Sequence, residues 1–321
     1  GLITQRSQVQ ILPAQPTTTT PTFSGRFAWI PGPQAMGFAC NQPFTNPMSH
    51  TLTQVQAKAQ RIELHTASGL QVWHVWNRDA GPPLVLLHGG SGSWNHWVRN
   101  VEALSQNRAV WALDTPGLGD SELPPGAADA DDLHHPLEQG LQMLFADQSV
   151  DVVGFSFGGL IAGFLAAAYP TRIKRLVLVG IPGLGLSNQI ANMRGFRADM
   201  TQQQRYAVHR NNLLAIMLHD EALITAELLD MQEHNVQRDR LRKRRIARSD
   251  AMLPLQKMWQ CSVYGIWGEN DALYQGSLHQ IKALLTGCDL HAFHVVPQAG
   301  HWVQFEQAEK FNELLQQCLH I

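Results

Sequence analysis

The chain has 321 residues, 44% of them hydrophobic and 16% charged, where an average soluble domain has about 25% charged residues. Lys and Arg (24) nearly balance Asp and Glu (26), so there is no basic field to hold nucleic acid, and the apolar fraction is too high for a wholly disordered chain. Cys40, Cys261, Cys288 and Cys318 lie far apart with no C-x-x-C pair, which argues against a zinc site or a disulfide framework and predicts a reducing, cytoplasmic setting.

Residues 1–47 hold the Thr17–Thr20 run and Pro13, Pro16, Pro21, Pro31 and Pro33, with no apolar period, and are expected to be a disordered extension. The sequence opens on Gly1 without a secretory pattern, and Met48, just before the first β pattern, is the expected biological start. Arg61–His65 and Leu70–Trp76 predict a hairpin turning through Ala67-Ser68-Gly69. Short apolar runs follow at Leu84–Leu87, Ala109–Leu113, Val150–Val153, Leu176–Val179, Val263–Trp267 and Ala292–Val296, most of them separated by helical stretches. Continuous apolar strands alternating with helices predict a mainly parallel sheet covered on both faces, with the hairpin as its antiparallel edge. Val152 to Tyr169 is uncharged and long enough to mimic a membrane span, but its glycines at 154, 158, 159 and 163 fit a buried strand, a sharp turn and a buried helix. No membrane association is expected.

The alternation stops between residues 183 and 254, where helix-forming sequence, including Leu213–His219 and Ala222–Met231, predicts a helical cap inserted between two halves of a core, 55–182 and 255–321. The basic run Arg240–Arg245 within it reads as a solvated helix face.

Gly154-Phe155-Ser156-Phe157-Gly158 stands between an apolar strand and an apolar helix, the setting in which G-x-S-x-G presents a serine on a sharp strand-to-helix turn. The helix N-terminus behind Ser156 offers free N–H groups where an oxyanion would form. His88-Gly89-Gly90-Ser91-Gly92 follows another strand, so the amides of Gly90 and Phe157 are the candidate oxyanion donors; His88 is expected to order this loop. Asp271, in Gly268-Glu269-Asn270-Asp271, and His301, in Gly300-His301-Trp302, each follow a strand. A serine nucleophile needs an imidazole to take its proton and a carboxylate to orient that imidazole, and parallel strands deliver all three to one sheet edge. Glu269 is the alternative acid. Asp114 is less suited, because Pro116-Gly117-Leu118-Gly119-Asp120 reads as a structural turn.

These landmarks resemble the α/β-hydrolase superfamily over residues 55–321, and the resemblance implies an α/β-hydrolase fold that needs no cofactor or metal. Gly300-His301-Trp302-Val303-Gln304-Phe305-Glu306 with Phe311-Asn312, and Asp220–Leu229 in the cap, are similar to the meta-cleavage-product hydrolases, which split a carbon–carbon bond in ring-fission diketones. By that likeness Trp302 flanks the substrate. Two positions depart from the pattern: Phe155 stands where that family usually has Asn before the nucleophile, and Gln232 where it carries a cap Arg that meets the substrate carboxylate. Arg238 or Arg210 could substitute from elsewhere in the cap.

Trp94, Trp97, Phe155 and Trp302 supply a candidate apolar wall, and Gln232 a candidate substrate contact. With no cationic residue at 232, the leading expectation is a serine hydrolase of carboxylic esters with an apolar or aromatic small-molecule substrate, working through Ser156, His301 and Asp271. The alternative is carbon–carbon bond hydrolysis of 2-hydroxy-6-oxo-dienoates by the same triad. A hydrolase-fold protein that only binds would be marked by a lost triad member, and none is lost. The sequence carries no signal for an oligomeric state.

Overall fold

Eight strands form one sheet in the order β1-β2-β4-β3-β5-β6-β7-β8. They are β1 (Gln60–Thr66), β2 (Gly69–Trp76), β3 (Leu84–Leu87), β4 (Val110–Asp114), β5 (Val150–Phe155), β6 (Ile173–Val179), β7 (Ser262–Gly268) and β8 (Asp289–Val296). The computed structural model describes residues 47–186, 192–241 and 244–319. β1 pairs antiparallel with β2, and β2 with β4, whereas every pair from β4 onward is parallel. This is the mainly parallel sheet with an antiparallel edge that the apolar runs predict. β3, β4 and β5 are buried along their whole length, as central parallel strands covered on both faces must be.

The helices are α1 (Pro47–Ala57), α2 (Val101–Leu104), α3 (His134–Phe145), α4 (Phe157–Ala168), α5 (Gln202–Asn212), α6 (Ala226–Gln237), α7 (Met252–Leu255), α8 (Leu278–Leu284), α9 (Val303–Glu306) and α10 (Ala308–Leu319). Two apolar cores form, one on each face of the sheet. One gathers α3 and α4 residues such as Leu137 and Leu165, and the other includes Trp97, Trp302, Phe311 and Leu315. The uncharged run from Val152 is split between β5 and α4, and among the described residues no helix is long and apolar enough to cross a membrane.

Two local features differ from the sequence expectation. The disorder expected for the extension falls on residues outside those described, except that Pro47 opens α1. That helix has no counterpart in the sequence reading, which begins ordered structure at the hairpin. It is fixed by buried Val55, whose carbonyl accepts the indole N–H of Trp76 at 3.0 Å. Between β6 and β7, Leu213–Met217 forms a π-helical turn, with the amide of Leu218 donating to the carbonyl of Leu213 at 2.8 Å. Such a turn has no periodic signature that a helix search would detect.

Several polar groups lie inside this framework. His88 is fully buried, its Nδ1 donating to the carbonyl of Gly89 (2.8 Å) and its Nε2 accepting the amide of Thr115 (3.0 Å). Asp114 accepts the amides of Trp94 (2.8 Å) and Asp120 (2.9 Å), which commits it to tying loops together. Burial pushes His74 and His88 down to about 4 and holds His96 well below its ordinary value, so all three are neutral rings in the fold. Between pH 4 and 6.5 the unfolded chain therefore binds more protons at these histidines than the folded one does, and stability rises with pH there. Burial raises Asp114 to about 6 and lifts Asp131 and Glu306, which acts in the opposite sense, but His209, His234 and His294 are lowered as well, so the imidazoles outnumber the carboxyls. The urea midpoint is expected to fall as the pH is lowered from about 6.5 toward 4. A flat or rising midpoint across that window would contradict the burial of neutral histidines.

Candidate active site

β5 ends at Phe155, and the chain turns so sharply into α4 that Ser156 has φ +51° and ψ −114°, a region that residues with a Cβ seldom occupy. The turn is possible because α4 starts hard against the end of β3. A Cβ on Gly158 would sit 2.4 Å from the carbonyl oxygen of Leu87 and 2.6 Å from that of His88. Ser156 is anchored across the sheet by its own amide, which donates to Val179 on β6 at 2.8 Å. Its hydroxyl therefore projects beyond the carboxyl ends of the strands.

Asp271 and His301 arrive from the loops after β7 and β8. These loops are laced together: the amide of Glu269 donates to Val296 (2.9 Å) and that of Asn270 to Ala299 (2.8 Å). A side chain at Gly268 is impossible, since its Cβ would lie 1.9 Å from the carbonyl oxygen of Gly300. His301 Nδ1 lies 2.9 Å from Asp271 Oδ2, and its Nε2 lies 2.9 Å from Ser156 Oγ. The carboxylate accepts only, so Nδ1 carries the proton and Nε2 is left to accept from the serine hydroxyl. Asp271 and His301 are each 1% exposed, and the second oxygen of Asp271 accepts the amide of Leu273 at 2.9 Å. Glu269 instead faces solvent, its carboxylate accepting only a long bond (3.4 Å) from the amide of Gln298.

The segment around His219, between β6 and β7, is clamped to the loop bearing His301. One carboxylate oxygen of Glu306 accepts the amides of His219 (2.8 Å) and Asp220 (2.9 Å), and the other accepts the amide of Gly300, the residue before His301. The amide of Trp302 donates to Met217 at 2.8 Å. Burial raises the Glu306 carboxyl above its ordinary range. α6 meets the glycine loop through Asn235, whose side-chain oxygen accepts from Ser93 Oγ (3.0 Å) and from the Asn95 amide (3.1 Å).

The candidate wall residues divide. Phe155 is buried between His301 and His96, with ring centroids 5.1 Å and 5.9 Å away. Trp302 packs tilted against His96, with ring centroids 4.5 Å apart, and donates its indole N–H to that residue's carbonyl. Trp94 packs instead on His74 and Trp76, and Trp97 on Phe311. Gln232 lies on α6 with a buried side-chain oxygen that has no partner among the described residues. Arg210 is engaged by Glu221 and the carbonyl of Ile224, and Arg238 by Asp120, so both proposed substitutes are committed to other partners.

The basic run departs in part from the sequence reading: among its described residues Arg240 and Arg245 are exposed, as expected, but neither lies in a helix. The amide of Arg240 donates to Gly117, Leu241 is buried, and Arg244 turns inward. The Arg244 guanidinium carbon lies 3.1 Å from where a Cβ on Gly90 would stand and 5.1 Å from the ring centroid of Phe157. Arg244 thus reaches both residues expected to supply oxyanion donors. His96, fully buried with neither ring nitrogen partnered among the described residues, was equally hidden among fifteen histidines. A surface hollow of about 610 Å³ beside the β1–β2 turn, bounded by Asp120, Glu122 and Arg240, contains none of the triad residues.

A family model described as the alpha/beta hydrolase family matches residues 84–314. The chain belongs to the alpha/beta hydrolase family. This hydrolase is 32% identical over 260 residues to the dihydrolipoyllysine-residue acetyltransferase component of the acetoin cleaving system of Pseudomonas putida, covering 75% of the chain but only 64% of that protein. It is 28% identical over 291 residues to the 2-hydroxy-6-oxononadienedioate/2-hydroxy-6-oxononatrienedioate hydrolase of Paraburkholderia phymatum, covering 84% of the chain and 98% of the relative. In fold it is similar to carboxylesterase CesB of Bacillus subtilis, with a TM-score of 0.68 at 19% identity over 85% of the chain and 97% of that structure.

The Glu306 clamp gives a test of how the hydrolase holds its histidine. Replacing Glu306 with Ala leaves three backbone donors without their acceptor, and is expected to cost at least about 2 kcal/mol of stability and to lower kcat. Urea unfolding and turnover measured together check this. An unchanged midpoint with full turnover would mean that the clamp holds nothing.

Proposed function

We propose that this hydrolase cleaves a carbon–carbon bond in a 2-hydroxy-6-oxo-dienoate, with Ser156 as nucleophile, His301 as general base then acid, and Asp271 orienting His301. The observation that carries the reaction type is the hydrogen-bonded line from Ser156 Oγ through His301 to Asp271, with 2.9 Å at each step. Ser156 Oγ adds to the ketone carbon as its proton passes to His301 Nε2, and the amides of Gly90 and Phe157 receive the developing oxyanion. With the substrate ketonised, its 2-hydroxyl proton moved to C5, the C5–C6 bond then breaks and its electron pair delocalises through C4 and C3 onto the C2 oxygen as a dienolate, which His301 protonates. Water attacks the acyl-serine, with His301 taking its proton, and releases a carboxylic acid. No step calls for a metal or a cofactor.

The choice of bond rests on the Paraburkholderia relative, which is matched over nearly its whole length and is named for a dienedioate substrate. The sequence by itself ranks esters first, because Gln232 and Phe155 are not the residues expected in a ring-fission hydrolase. Those two residues and the similarity of fold to a carboxylesterase favour ester hydrolysis as the second reading. Both readings use one triad and one small-molecule substrate.

Measuring kcat/KM on one preparation for 2-hydroxy-6-oxo-dienoates and for aryl and short-chain alkyl esters separates them. The dienoates are expected to win by at least ~10-fold, and Ser156→Ala is expected to lose at least ~10³-fold on either substrate. Esters winning by that margin would reverse the order of the two readings. A Ser156→Ala variant that keeps most of its activity would remove both.

A further inference from the structure

We propose that Arg244 is a specificity-determining residue that selects substrates whose acyl portion carries a carboxylate, and that Asp239 holds its place until such a substrate arrives. The inference rests on the assignment of Ser156, Gly90 and Phe157 as the acyl site, and does not depend on which bond is cleaved.

Arg244 lies in the chain segment that leads from the cap back to the core, yet its guanidinium packs against the oxyanion loop. All three of the nearest atoms to a Cβ built on Gly90 belong to it: Cζ at 3.1 Å, and Nε and Nη1 at 3.2 Å. Its face covers the Phe157 ring at 5.1 Å, a cation–π distance. Ser156 adjoins the residues of both contacts, since it precedes Phe157 in the chain and a Cβ on Gly89, the residue before Gly90, would stand 3.4 Å from the Ser156 Cβ. The guanidinium is therefore next to the position where a bound acyl group must lie.

Its hydrogen bonds show what it is built to receive. One amino group meets Asp239 Oδ2 at 2.5 Å, and another meets Ser91 Oγ at 3.3 Å. Ser91 donates in turn to the same Asp239 oxygen at 2.6 Å. Nε is buried with no acceptor among the described residues. A planar guanidinium binds a carboxylate best through two parallel N–H donors, and here one edge of the fork is unfilled. A substrate carboxylate filling that edge would replace a missing hydrogen bond with a charge-assisted one, whereas a neutral acyl chain would leave Nε without a partner.

The test uses two aryl esters of similar length, 4-nitrophenyl hemisuccinate, whose acyl chain ends in a carboxylate, and neutral 4-nitrophenyl valerate. Arg244→Gln is expected to lower the hemisuccinate-to-valerate ratio of kcat/KM by at least ~10-fold, chiefly through KM, with Arg244→Lys retaining part of the preference. A parallel measurement needs no turnover: succinate should protect Ser156 from a neutral sulfonyl fluoride in the wild type and fail to do so in Arg244→Gln. An unchanged ratio with unchanged protection would overturn the proposal, as would equal loss on both esters, which would make Arg244 a general support of the site. Failure of Ser156 to react with either ester or the sulfonyl fluoride would instead remove the underlying assignment of the acyl site.

Discussion

The site depends on a close backbone approach, that of the start of α4 against the end of β3. With the carbonyl oxygens of Leu87 and His88 less than 3 Å from where a Gly158 side chain would begin, the helix can start within one residue of the strand. Ser156 then takes a positive φ, at a cost of order 1–3 kcal/mol for a residue with a Cβ. Packing on both sheet faces holds it there: β5 is buried throughout, as are ten of the residues of α4. The same approach brings the helix N-terminus beside the glycine loop that follows β3. Ser156 and the candidate oxyanion donors thus come together through one steric constraint.

His301 is supported from two sides. The loop after β7 fixes it through Asp271 and through backbone bonds that need Gly268 to lack a side chain. The insertion between β6 and β7 fixes it through Glu306 and through the bond from Trp302 to Met217. An imidazole held by Asp271 on one side and facing Ser156 Oγ on the other, 2.9 Å from each, gains from such support, because small displacements of a base are costly in rate. The insertion accordingly helps to position His301.

The sheet was legible because buried parallel strands are written as continuous apolar runs, and β3 and β5 begin at the residues where those runs begin. Ser156, Asp271 and His301 could be read because each follows such a run, so topology alone brings them to one edge. Less could be read in the insertion. Its π-helical turn breaks the helical period, and some of its arginines meet partners more than a hundred residues away, as with Arg244 and Ser91 or Arg238 and Asp120. A basic run looks alike whether it faces solvent or folds back over a glycine loop. Trp94 shows the same limit for apolar residues, since its type suits a substrate wall and a core equally, and the bond from its amide to Asp114 helps place it in the core.

The central claim is that Ser156 attacks within reach of the Gly90 and Phe157 amides. A crystal structure after inactivation by a neutral alkyl fluorophosphonate tests it most directly. The account predicts phosphorus on Ser156 Oγ, with the phosphoryl oxygen about 3 Å from both amide nitrogens and His301 still bonded to Asp271. An adduct on another residue, or a phosphoryl oxygen turned away from both amides, would contradict it.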